Sequence, residues 1–166
     1  MNFKAKFFDE LTTRELYEIV RSRTEIFLME QKIICQDFDG IDYESLHCFL
    51  EQDGKIMAYL RAYRIEDGSV KVGRVLSITH GIGLGTRLMN EAIPVIINSF
   101  GCTEIKLNSQ KQAQEFYEKL GFAICSADFL EEGIPHVKMV LNTVAGADVK
   151  TKIEFGGEYA KQDTHL

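Results

Sequence analysis

The chain has 166 residues, 45% of them hydrophobic, a length and content that suit one domain with its own core. Its 25 acidic residues outnumber 19 basic ones for a net charge of −6, which argues against nucleic acid and anionic membranes as partners, because neutralising phosphates takes clustered lysine and arginine. Cys35, Cys48, Cys102 and Cys125 are scattered, and His47, His80, His136 and His165 make no zinc spacing, so no metal is expected. Reduced thiols, a charged amino terminus and the lack of a bilayer-length apolar run predict a cytoplasmic protein.

Phe3 to Phe8 alternates as a first strand. Thr12 followed by Glu15 is a capping box, opening a helix whose inward face is Leu16, Ile19, Val20, Arg23 and Phe27. Glu30 to Glu44 is an irregular loop that gathers acid at Asp37, Asp39 and Asp42. His47–Leu50, Lys55–Arg64 and Val70–Ile78 read as three strands joined through Asp53-Gly54 and Asp67-Gly68, an antiparallel meander. A helix with Leu84, Leu88, Ala92, Val95, Ile96 and Ser99 on one face follows, with Pro94 expected to kink it or loosen one hydrogen bond. Thr103–Leu107 is a short strand, and Ser109 with Gln112 caps a helix from Gln110 to Leu120 that Gly121 terminates. Phe122–Phe129 and His136–Leu141 are the last two strands. The expected division is one domain over 1–142 and a polar tail over 143–166, in which Val149–Phe155 alternates and could add an edge strand or pair with a second subunit as a homodimer. The element order predicts an α/β (α+β) architecture, a mixed sheet covered by helices.

Between the third strand of the meander and the next helix lie Gly81, Gly83 and Gly85, an arrangement suited to an anion. Backbone amides exposed by the glycines join the positive end of the helix. The loop has neither the spacing nor the lysine of a nucleoside-triphosphate loop, and Thr86 stands where a dinucleotide fingerprint requires its third glycine. A nicotinamide-dependent oxidoreductase is therefore a poor reading, and the antiparallel meander before the loop argues further against it.

With these motifs in this order, the chain resembles the GNAT N-acetyltransferase superfamily from Phe3 to Leu141. His80-Gly-Ile-Gly-Leu-Gly85 is similar to the family's acetyl-CoA pyrophosphate loop, with His80 standing where Arg or Gln is usual, and Phe116-Tyr117-Glu-Lys-Leu-Gly121-Phe122 is similar to its Phe-Tyr-x-x-x-Gly-Phe helix end. Phe27-Leu-Met-Glu30-Gln31, Gln36-Asp37-Phe-Asp39-Gly40, His47, Gly73-Arg74-Val75 and Glu132-Gly-Ile-Pro135-His136 are similar to the ElaA-like acyltransferases. The resemblance implies the acyl-CoA N-acyltransferase fold, with a mostly antiparallel sheet flanked by helices. It implies acetyl-CoA as donor and an amine of a small molecule or peptide as acceptor. It also implies that Leu76, Ser77 and Ile78 bond the pantetheine arm and that Gly81, Ile82, Gly83, Leu84, Gly85 and Thr86 donate amides to the pyrophosphate.

Acetyl transfer needs a neutral amine, an oxyanion donor and a proton for the leaving thiolate. The resemblance gives the last role to Tyr117; its spacing with Ala113, Phe116 and Leu120 equally suits a core aromatic. Asn108 either touches the coenzyme or caps the following helix. Glu30 is the candidate base, directly or through water, with Phe27, Asp39 and Asp42 at an acceptor end that favours a cation; the alternative is a solvated acidic loop. Arg74, placed inside an apolar strand, either pairs with one of these carboxylates or faces solvent. His47 and His136 are candidates for the same cleft, as base or substrate contact, or are satisfied polar groups at strand ends. The competing function is a catalytically idle coenzyme A-binding module.

Overall fold

The computed structural model describes residues 1–143. Strand β1 (Asn2–Phe7) leads through a short 3₁₀ turn to Thr12, whose hydroxyl accepts from the Glu15 amide at 3.1 Å while the Glu15 carboxylate accepts from the Thr12 amide at 2.9 Å. This closed capping box starts α1 (Thr13–Arg23). Burial pushes the Glu15 carboxyl up, but the Lys6 ammonium, the Thr12 amide and the Lys4 ammonium outweigh it and hold the group at about 2.

Helix α1 does not continue as one α-helix to Phe27. From Thr24 to Glu30 the coil widens to a π-helix. With more residues per turn the inward face rotates, so Ile26 is buried and Phe27 is half-buried. A 3₁₀ turn at Ile41–Glu44 precedes the meander β2 (Leu46–Gln52), β3 (Lys55–Arg64) and β4 (Val70–Ser77). The β2–β3 turn is tight because Asp53 and Gly54 both adopt positive φ, at 52° and 75°.

Helix α2 (Leu84–Phe100) buries Leu88, Met89, Ala92 and Ile96, while Val95 is only half-buried and Ser99 is exposed. It runs through Pro94 unbroken; the missing Pro94 amide leaves the carbonyl of exposed Asn90 without its helical donor. Strand β5 (Glu104–Gln110) is longer than predicted, and α3 is shortened to Gln114–Lys119 behind a 3₁₀ turn. Ser109 is buried in the strand and does not cap a helix, because Ile105, Leu107 and Ser109 alternate inward and seven residue pairs join β5 to β8. Gly121, at φ 93°, ends α3 as expected, with the Phe122 amide donating to the Tyr117 carbonyl at 3.1 Å. The predicted strand Phe122–Phe129 is instead two pieces, β6 (Ala123–Ile124) and β7 (Phe129–Glu131), both paired to β8 (Ile134–Asn142).

The sheet order is β1-β2-β3-β4-β5-β8-β6, with β7 also on β8, and every pairing is antiparallel except β4 with β5. One face packs on α2 and α3 through Leu88, Met89, Ile96, Leu107, Tyr117 and Met139; the other meets α1 through Ile19, Ile26, Phe49, Tyr59 and Leu76. Among the described residues no helix is long and apolar enough to cross a membrane, and no His, Cys, Asp and Glu cluster suits a metal. The alternating segment Val149–Phe155 lies outside the described residues.

Candidate active site

Strands β4 and β5 pair only at Val70–Ile105 and Lys71–Lys106, then diverge. From Val72 onward β4 keeps its antiparallel ladder to β3 and has no strand partner on its other edge among the described residues. The gap widens toward the ends where Ser77 leads to the glycine loop and Gln110 leads to α3. A cavity of about 890 Å³ occupies it, walled by Lys71–Val75 of β4, by Leu107, Asn108 and Gln110 of β5, and by Tyr117.

Within the free stretch Arg74 has φ 55°, and the two residues Arg74 and Val75 stand opposite Leu60 alone. This bulge turns Arg74 off the strand. Its Nε meets Asp37 Oδ1 at 2.6 Å, and its Nη2 meets the Asp37 carbonyl at 3.1 Å and Asp39 Oδ2 at 3.5 Å. Arg74 thus takes the paired alternative. Two further arginines, Arg23 and Arg61, each only 2% exposed, complete the cluster. Arg23 bonds Asp37 Oδ2 at 2.8 Å and Asp42 Oδ1 at 2.7 Å; Arg61 bonds both oxygens of Asp39, at 2.8 and 2.6 Å, and Asp42 at 3.0 Å. Three guanidinium groups and three carboxylates cancel, so Asp39 and Asp42 do not present free acid to the cavity. The Arg61 guanidinium holds Asp39 at about 2 against burial; burial raises Asp42, but Arg23 outweighs it and the group lies below its ordinary value. Among the described residues, the Nε of Arg61 is the only side-chain polar atom buried without a partner. Arg61 was not singled out in the sequence, although a charge between Leu60 and Ala62 carries the same signal as Arg74.

His47 does not line the cavity. It is 1% exposed, and its Nε2 lies 2.9 Å from the Asp42 carbonyl and its Nδ1 2.8 Å from the Tyr59 hydroxyl. A carbonyl cannot donate, so Nε2 carries the proton and the Nδ1 lone pair accepts from Tyr59. Burial lowers its pKa.

Glu30, at the end of the π-helical coil, is also outside the cavity wall. Its Oε1 lies 2.9 Å from His80 Nε2, joining that coil to the residue that leads the glycine loop. There Gly81 and Gly83 both have φ 77°, a conformation L side chains rarely adopt, and Gly83 precedes the first turn of α2. The first amides of the helix have no partner within it. Gly85 differs: a Cβ there would sit 3.4 Å from the Phe116 ring, an ordinary van der Waals distance, so this position faces α3 with room for little more than a methyl group. Leu76, Ser77 and Ile78 extend the free edge of β4 from the cavity toward this loop, with the Ile78 amide donating to the Met57 carbonyl at 2.9 Å.

Tyr117 is both core and cavity: 7% exposed, edge-on to Phe116 and Phe122, and on the cavity wall. Burial alone raises its pKa above that of a free phenol, with no charge or hydrogen bond contributing. Asn108 lines the cavity from β5 and caps no helix; its Nδ2 donates to Glu131 Oε1 at 3.1 Å. Glu131 Oε2 in turn lies 3.5 Å from His136 Nε2, while His136 Nδ1 meets the Ile134 carbonyl at 2.7 Å. Phe27, Asp39, Arg74, Asn108, Tyr117 and His136 thus share one cavity.

A sheet opened between parallel neighbours and a glycine turn at the adjoining helix are the marks of an acyl-CoA-binding fold, and the chain belongs to the GNAT acetyltransferase family: the family model of the acetyltransferase (GNAT) domain matches residues 19–143. Among curated proteins it is 37% identical over 145 residues to a UPF0039 protein of Schizosaccharomyces pombe, covering 85% of this chain and 97% of that one, and 28% identical over 141 residues to protein ElaA of Escherichia coli, covering 81% and 92%. Among solved structures it is similar to an acyl-CoA N-acyltransferase from Pseudomonas aeruginosa, with TM-score 0.79, 34% identity and coverage of 84% and 99%. It is also similar to the crystal structure of E. coli ElaA, with TM-score 0.78, 26% identity and coverage of 84% and 97%.

Proposed function

We propose that the protein transfers acetyl from acetyl-CoA to a primary amine of a small molecule or peptide, in the cytoplasm, by direct attack within a ternary complex. The observation that carries this reading is the free edge of β4 beyond Lys71, on the same cavity of about 890 Å³ that Tyr117 lines. An extended pantetheine arm has amides that complete such an edge as an added strand would, along Leu76, Ser77 and Ile78. The backbone amides from Gly81 to Thr86, at a helix start with no side chain in the way at two positive-φ glycines, suit the pyrophosphate.

Acetyl-CoA supplies an activated thioester. The chain supplies the rest. The Tyr117 hydroxyl, protonated across the neutral range and open to the cavity, gives its proton to the departing thiolate. Phe27, Asp39 and Arg74 wall the acceptor end together with His136, with Asp39 neutralised by Arg61 and Arg74 by Asp37. Asn108 acts on the acceptor side through Glu131. His47 has both ring nitrogens occupied and positions the Asp42 segment, and Glu30 acts on the glycine loop through His80.

Thermal unfolding with millimolar acetyl-CoA, NADH or ATP tests the donor. Ligand at about 100 times its Kd stabilises by ~2.7 kcal/mol, a rise of several degrees for this chain length. A rise with acetyl-CoA alone supports the reading; none, or one with NADH only, overturns it. Binding with no turnover across a broad amine panel would return the idle binding module.

A further inference from the structure

We propose that His136 is the proton acceptor for the attacking amine and that Glu131 stabilises the imidazolium formed; this rests on the transfer reading above. The ring is fixed by two contacts. Its Nδ1 lies 2.7 Å from the Ile134 carbonyl oxygen, and because a carbonyl only accepts, Nδ1 carries the hydrogen. Phe129 stacks on the imidazole at 5.9 Å and 29°, which sets the plane. The neutral ring therefore keeps its lone pair on Nε2, and Nε2 lies 3.5 Å from Glu131 Oε2. Two acceptors face each other there without a hydrogen of their own between them. The other Glu131 oxygen is held by Asn108 at 3.1 Å, so the carboxylate is oriented as well. His136, Glu131 and Asn108 all line the cavity that Tyr117 lines. An ammonium group entering at that gap meets a neutral base on one side and a carboxylate on the other.

The other candidates are occupied. His47 spends its lone pair on the Tyr59 hydroxyl, Glu30 is tied to His80 off the cavity wall, and Asp39 and Asp42 are neutralised by Arg61 and Arg23. The charges about His136 are Glu131 from β7, Glu132 from the β7–β8 turn in the same wall, and Lys138 two positions along β8 with its ammonium 6.0 Å from the Phe129 centroid; from β5, Asn108 and Gln110 are neutral.

In the step, an ammonium N–H bond breaks and its proton moves to His136 Nε2. The freed nitrogen pair forms the C–N bond at the thioester carbonyl, the C–S bond breaks with its pair on sulfur, and the thiolate takes the proton of Tyr117. The second proton lost from nitrogen goes to water, and solvent returns a proton to Tyr117 and removes the one on His136.

Two measurements on the full chain test this. Two-bond ¹⁵N–¹H correlation spectra, with His136→Asn supplying the assignment, should show His136 as the Nδ1–H tautomer, its signals shifting when n-butylamine is added with acetyl-CoA. Asn keeps a donor toward the Ile134 carbonyl while deleting Nε2, which preserves the fold contact. Turnover at neutral pH is then compared for n-butylamine, which enters as the ammonium, and methoxyamine, which enters neutral. His136→Asn should lower kcat/KM for n-butylamine by 10²- to 10⁴-fold and for methoxyamine by less than tenfold, the range general-base catalysis spans. Glu131→Gln, an exposed and conservative change, should show the same contrast at smaller size. An Nε2–H tautomer, or equal losses with both amines, overturns this proposal alone. No wild-type turnover with any amine overturns it together with the transfer reading.

Discussion

Arg74 Nε sits 2.6 Å from Asp37 Oδ1 because the strand bulges at Arg74, whose positive φ swings the guanidinium out of the ladder and onto the loop before Gly40. One irregular backbone residue thus fixes a cavity wall. The same aspartate is held from its other oxygen by buried Arg23, so β4, α1 and the loop meet at one side chain.

The network should be brittle to loss of a single partner. Asp42 bridges Arg23 and Arg61, and Asp42→Asn leaves two buried guanidinium groups short of charge. Urea denaturation should show a loss of roughly 3 kcal/mol, whereas Glu115→Gln at the exposed Lys119 pair should leave the midpoint unchanged.

Acid should act through the same groups. Asp39 and Glu15 are each held at about 2, below their ordinary values of 3.8 and 4.5. A carboxyl with a lowered folded pKa stabilises fully above its unfolded pKa and loses that contribution as pH falls through the folded one. Stability should therefore drop between about pH 4.5 and 2. Asp39→Asn should flatten that slope in urea midpoints taken across the window.

Tyr117→Phe removes a hydroxyl that makes no hydrogen bond among the described residues. Thermal midpoint and acetyl-CoA affinity should stay near wild type while kcat falls about 10²-fold or more. A fall in stability with unchanged kcat would make Tyr117 a packing residue only.

The glycines should separate. Gly83→Ala places a side chain at φ 77° and should cost about 1 kcal/mol or more with weaker acetyl-CoA binding by titration calorimetry. Gly85→Ala introduces only the 3.4 Å contact with the Phe116 ring edge and should leave the fold intact, with any effect on the α2–α3 seam.

Local chemistry was legible in the sequence where one short segment decides its own geometry. Thr12 with Glu15, Asp53 with Gly54, and Gly121 needed no distant partner to be read. Ser109 misled because its capping pattern with Gln112 is local, while its burial follows from seven pairings to a strand about thirty residues away. The widened coil at Thr24–Glu30 has no signature in residue spacing; it buries Ile26 fully and leaves Phe27, on the face a 3.6-residue period assigns it, half-buried against the same core. Arg74 could be flagged as misplaced charge, but its partner Asp37 lies 37 positions away. Glu131 became visible only once β7 folded onto β8 and set it beside His136.

The bare backbone of Gly85 beside Phe116 has a mechanical consequence. The start of α2 stops about one methyl group short of the Phe116 ring, and Phe116 is edge-on to Tyr117 at 4.9 Å. A small inward shift of the α2 start closes that space and presses on the ring beside the phenol, so amide exchange in α3 should slow when only the far, phosphate end of acetyl-CoA is supplied.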